Sequence, residues 1–153
     1  MAKKKAVVED LFEKYVKGTK EKELVILESA YICRLTYAVF DVLGFNDYKV
    51  YVNTKVLKHL YDKKPAEEFY YIVKNLYKFI KYPDWIYKNR TSKRGEFCLV
   101  KEIYDFKYLC SLEFCEDELE GRIYVVTAFR LRDQNYLKKY ELLWSWKGDR
   151  PSS

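Results

Sequence analysis

Apolar residues recur at two different periods along this chain, and the change of period divides it. Over Lys5 to Lys17, Val8, Leu11, Phe12 and Tyr15 fall three and four apart, the spacing of one helix face, and Gly18-Thr19 ends the run. From Glu21 to Leu43, Leu24, Leu27, Tyr31, Leu35 and Val39 repeat in the same way, with Gly44 as a C-terminal stop. A second helix is expected there, although the β-branched and aromatic content of Tyr31 to Phe40 keeps a strand reading open. Tyr48 to Asn53 alternates and predicts a short strand, after which Asn53 or Thr54 can cap a helix from Lys55 to Tyr61. Pro65 opens a longer helix with the apolar stripe Phe69, Ile72, Val73, Leu76 and Ile80, and Pro83 stops it.

Beyond Pro83 the period drops to two. Trp85 to Lys88, Phe97 to Ile103, Tyr108 to Cys115 and Arg122 to Arg130 read as strands, separated by a basic loop from Asn89 to Gly95 and a turn from Asp117 to Gly121. Connections this short join antiparallel neighbours, so a meander is expected. Residues 133–140 read as a short helix, and Trp144-Ser145-Trp146 as a final strand or packed tail. The expected fold class is α+β, with N-terminal helices packed on a four-stranded antiparallel meander sheet. The expected division is a helical segment over residues 1–44 and an α+β domain over 45–150, within one compact unit.

Composition adds a surface to this picture. A 153-residue chain that is 49% hydrophobic and 34% charged can bury a core and fold as one domain. Its 16 tyrosines exceed what a core needs, so many must lie at surfaces or in grooves, where the ring packs and the hydroxyl stays wet. The net charge of +6 is unevenly spread: residues 54–108 hold thirteen basic against seven acidic side chains, and residues 109–121 hold five acidic and none basic. Such a basic region is where polyanions dock, and equally what a lysine-rich solvated surface looks like. The four cysteines form no C-x-x-C pair and sit mostly in apolar runs, which points to reduced thiols. Met1-Ala2-Lys3-Lys4-Lys5 leads into Glu9-Asp10 rather than an apolar signal core, and no apolar stretch reaches membrane-spanning length. A cytoplasmic location without membrane association is expected.

His59 is the only histidine. The chain lacks G-x-G-x-x-G, the P-loop pattern, H-E-x-x-H, a cysteine cluster and G-x-S-x-G, so enzymatic work would be acid–base chemistry without cofactor or metal. RNA cleavage by attack of the 2′-OH on its own phosphodiester fits that restriction. It needs a proton acceptor, a proton donor and cations for the phosphorane. His59 supplies the titratable group, Arg90, Lys93, Arg94 and Lys101 the cations, and Thr127 a hydrogen bond to the phosphate. Each residue also has an ordinary reading. His59 is a helix-surface residue, Arg90 and Lys101 are solvated strand-edge charges, Thr127 is a strand former, and Trp85, Trp144 and Trp146 are packing residues.

The order of the pieces carries a resemblance. The strand and Lys58-His59-Leu60 helix come first, followed by K-Y-P-D-W-I-Y-K-N-R, F-C-L-V-K-E, Y-L-C-S-L-E-F and V-V-T-A-F-R. Together they resemble the phage-associated barnase–EndoU–colicin E5/D–RelE-like nucleases over about residues 48–147. The resemblance implies N-terminal helices on a four-stranded antiparallel sheet and metal-independent RNA cleavage. It implies His59 as the helix histidine, Lys101 as the strand lysine, Thr127 as the late-strand threonine and Arg90 at a less constant basic position. The second proton-transfer group stays open among Glu102, Glu113 and a lysine of lowered pKa, as does a reaction that relies mainly on electrostatics, as in RelE-like members.

The reading is an endoribonuclease-like protein acting on RNA, a toxin or phage-linked effector with a cognate inhibitor protein. The alternatives are a non-catalytic nucleic-acid-binding module using the basic, tyrosine-rich face, and an interaction domain whose N-terminal helices, residues 1–43, dock a partner or form a homodimer.

Overall fold

A computed structural model describes residues 7–45, 47–63, 65–89, 97–115, 122–133 and 135–146. Arg90, Lys93, Arg94 and the acidic turn from Asp117 to Gly121 lie outside the described residues. The chain runs α1 (Val7–Tyr15), β1 (Ser29–Arg34), α2 (Tyr37–Leu43), β2 (Lys49–Asn53), α3 (Thr54–Lys63) and α4 (Ala66–Lys81). It continues as β3 (Trp85–Lys88), β4 (Phe97–Ile103), β5 (Phe106–Cys115), β6 (Arg122–Leu131) and β7 (Glu141–Ser145).

The seven strands form one sheet in the order β1-β2-β6-β5-β4-β3-β7. Its middle, β6 to β3, is the antiparallel meander that the short connections require. Three further strands extend it, so the four-stranded expectation is corrected to seven. β2 joins β6 in a parallel pair, which needs a long crossover, and α3, α4 and β3–β5 supply it. β1 then closes one edge antiparallel to β2, and β7 closes the other antiparallel to β3.

Helices are also not confined to the N-terminus, since α3 and α4 lie mid-chain. The helix expected from Glu21 to Leu43 is replaced by β1 and the shorter α2, which Gly44 ends in a left-handed conformation with its N–H on Phe40 O. Leu24 and Leu27, two members of the apparent helical stripe, are 95% and 68% exposed. Spacing alone had no partner surface to bury them against. Residues 135–139 form turns rather than the expected helix.

The helices pack on one face of the sheet. The α4 stripe Phe69, Ile72, Val73, Leu76 and Ile80 is buried as its spacing predicts, and Phe79 stacks on Tyr108 of β5 with ring centroids 5.3 Å apart. Val8, Val39, Val50, Leu57, Leu99 and Ile123 join the same cluster. Residues before and after position 44 therefore share one core. On the opposite face a smaller cluster of Trp85, Tyr87, Cys98, Val100 and Leu109 is flanked by Phe129, Leu137, Tyr140 and Leu142. The cysteines are free thiols, and burial pushes Cys33 up to about 12. Among the described residues no helix is long and apolar enough to cross a membrane.

Candidate functional site

Alternation along each strand assigns every side chain to one of two faces. On β5, Tyr108, Cys110 and Leu112 belong to the helix-side core and Leu109 to the opposite cluster, so Ser111 and Glu113 share the face away from the helices. Thr127 stands opposite Ser111 in the β5–β6 register and takes that same face. Lys101 lies between Leu99 and Ile103 on β4 and stands opposite Tyr108, which puts it on the helix side. The sheet itself thus separates Lys101 from Thr127.

Lys101 Nζ sits 3.7 Å from Asp84 Oδ1, and the other oxygen of the buried Asp84 accepts the Glu102 N–H at 2.8 Å. His59 is exposed on α3, in the helix layer. Asn53 caps that helix by accepting the Val56 N–H at 2.9 Å, as its position after the strand predicts.

The residue beside His59 has a structural task that sequence reading did not detect. Lys58 is 6% exposed, and its ammonium donates to Thr19 Oγ1 at 2.9 Å, to Lys20 O and to Asp62 Oδ1 at 2.7 Å. Asp62 Oδ2 in turn accepts the Lys22 N–H at 3.0 Å. Burial pushes the Asp62 carboxyl up, but the hydrogen bonds from Lys58 and the Lys22 N–H, with the charges of Lys58 and His59, outweigh it. The net result lies below the ordinary 3.8. The His59 stretch of α3 therefore clamps the 19–22 loop. His59, Lys101 and Thr127 do not gather at one point, since two lie on the helix side and the third behind the sheet.

What the register does gather lies on the face away from the helices, at β1, β2 and β6. Tyr31 stands opposite Tyr51, and Tyr51 opposite Tyr124, so three tyrosines from three adjacent strands form one row. Their ring centroids are 5.7 Å and 6.1 Å apart. Val50, Val52, Ile123 and Val125 take the helix side of the same strands, which leaves the tyrosines for the other face. Tyr31 is 37% exposed, and Tyr51 and Tyr124 are half-buried.

A second row runs beside the first. Arg34 stands opposite Lys49, and the parallel register that aligns Val50 with Ile123 brings Arg122 alongside Lys49. The Arg122 guanidinium carbon lies 4.5 Å from the Tyr51 ring centroid, a cation–π distance. Ser29 Oγ is 3.4 Å from the Tyr124 hydroxyl. Glu113, opposite Tyr124 on β5, is the acidic neighbour and is buried.

The tyrosine count pointed to surface aromatics, but sequence alone had no means of aligning these three, because β6 lies far along the chain from β1 and β2 and the stretch holding β1 has helical spacing. Compared with protein-family models, curated proteins and solved structures, the chain matches none of them.

Proposed function

We propose that the tyrosine row and its adjoining cations bind single-stranded nucleic acid, with RNA as the ligand, and that the domain acts as a binding module. The observation that carries this is the Tyr31–Tyr51–Tyr124 row with Arg122 over Tyr51. Unpaired bases stack on aromatic faces at about 1–3 kcal/mol each, and the contact is tolerant of sequence because every base has a π-face. A cation row one pleat repeat away meets the phosphates that a stacked strand must carry. Half-buried rings are held by their neighbours, so little side-chain freedom remains to be lost on binding.

RNA cleavage by His59, Lys101 and Thr127 acting on one phosphate has no support in this arrangement, because that reading needs all three on one side of the sheet. The binding reading needs no such convergence.

Fluorescence anisotropy with a labelled uridine-rich single-stranded RNA, run at several salt concentrations, tests it. Wild-type protein binds, and the Tyr51→Ala/Tyr124→Ala double variant, shown folded by circular dichroism, binds at least tenfold more weakly, about 1.4 kcal/mol. Absence of wild-type binding, or equal binding by the folded double variant, overturns the reading.

A further inference from the structure

The helix side of the sheet holds a separate concavity that the nucleic-acid reading does not use. A pocket of about 510 Å³ opens where α2, the end of α4, β4 and the end of β7 meet. Trp144, Trp146, Tyr82, Pro83 and Val39 form its walls, and Lys101 and Asp84 lie within it.

The register explains how they come together. Trp85 stands opposite Val100 on one side and Ser145 on the other, so Asp84 falls between Lys101 and Trp146. The Trp146 N–H donates to Asp84 O at 2.9 Å, which fixes the strand end that carries the indole. Trp144 stands opposite Ile86, a helix-side core residue, and Trp146 follows two positions later on the same face.

The pocket wall is mostly apolar, with Lys81, Asp84 and Lys101 as its charged residues, the usual make-up of a small-molecule site. Asp84 is held by the Glu102 N–H, and at 3.7 Å the Lys101 ammonium pairs with it only as a charge. Among the described residues, that ammonium makes no hydrogen bond and keeps its donors. Lys81 also lines the pocket, so the lining holds two basic residues and one carboxylate. Trp146 remains 71% exposed at the mouth, a large ring that folding alone leaves without a partner surface.

We infer that this pocket binds a planar aromatic small molecule bearing one anionic group, its ring against Trp144 and Trp146 and its anion on Lys101. The volume suits a fused two-ring system, since small-molecule sites run from about 300 to 1,000 Å³. The indole faces supply stacking, and the lysine supplies the charge complement that selects an anion over a neutral analogue. This inference is independent of RNA binding, because the tyrosine row is on the other face.

Isothermal titration calorimetry of the full chain with naphthalene-2-carboxylate tests it, with naphthalene-2-carboxamide as the neutral control. The carboxylate binds with a Kd on the order of 1 mM or tighter. The carboxamide, Lys101→Met and Trp146→Ala each weaken binding about tenfold or more. Trp146→Ala changes an exposed side chain and so keeps the test decisive if Lys101→Met impairs folding. Failure of the wild type to bind the carboxylate overturns the inference, as does equal affinity for the amide or an undiminished affinity in folded Trp146→Ala.

Discussion

Tyr51 and Tyr124 face each other across the parallel β2–β6 pair, with ring centroids 6.1 Å apart and planes inclined by 44°. Some seventy residues separate them in sequence, and the crossover that carries α3 and α4 is what brings their strands side by side. If these rings serve as stacking surfaces, aromaticity and not mere bulk sets affinity. Tyr51→Phe should hold RNA affinity within about twofold, whereas Tyr51→Leu should lose about 1–3 kcal/mol of it. Anisotropy on both variants measures this, and indistinguishable losses would reduce Tyr51 to a packing residue.

The cation row makes a second, separable prediction. For single strands each neutralised phosphate contributes about 0.7 to the slope of log K against log salt. Replacing Arg122 with Gln should lower that slope by about 0.7 and weaken binding at low salt more than at high salt. Arg34→Gln should act in the same direction but less, since Arg34 stands opposite Lys49 while its guanidinium carbon lies 5.1 Å from the Tyr48 ring centroid. A slope unchanged in both variants would remove phosphate contact from this face.

These two predictions turn on residues that sequence reading placed unequally. The central meander was legible because Phe97 to Ile103, Tyr108 to Cys115 and Arg122 to Arg130 are strand-length runs rich in β-branched, aromatic and other apolar residues, and their connections are too short for anything but hairpins. The α4 stripe was legible for the same kind of reason, a local period matched to a local structure. β1 was not. Leu24, Leu27, Tyr31 and Leu35 happen to fall at helical spacing, and what decides the matter is hydrogen bonding to β2, which no local period records. The candidate site failed to appear for a related reason. Its tyrosines belong to strands paired by long-range register. Lys101 and Thr127, which looked like partners, fall on opposite faces because their strands are offset by a definite count of residues.

That separation is itself testable. Residues on opposite faces with no shared neighbour contribute additively, usually within about 0.5 kcal/mol. Thermal unfolding of Lys101→Met, Thr127→Ala and the double variant should show no coupling beyond that margin. Lys101→Met should also leave RNA affinity within about twofold, since its side chain looks into the pocket beside Asp84. A strong coupling energy between the two would mean that they share a ligand or a network, contrary to the register.

The clamp between α3 and the 19–22 loop yields a pH prediction with a definite sign. The Asp62 carboxyl sits below its ordinary value although burial works the other way, because hydrogen bonds from Lys58 and the Lys22 N–H, with the Lys58 and His59 charges, favour its ionised form. A carboxylate depressed on folding contributes stability at pH values above its unfolded pKa, about 3.9, and loses it as pH falls through the folded value. Wild-type stability should therefore decline below about pH 4 in part through Asp62. In Asp62→Asn that component is absent, so its stability curve should be flatter over the same acid range. At neutral pH the variant should be less stable by about 1–3 kcal/mol, because the buried Lys58 ammonium keeps Thr19 and Lys20 as partners but loses its counter-charge. Lys58→Met removes the charge that needs compensating and should cost less than Asp62→Asn. Urea unfolding of the three proteins from about pH 2 to pH 7 measures both effects. Curves for wild type and Asp62→Asn that run parallel across that range would show that the Lys58–Asp62 pair does not hold the loop.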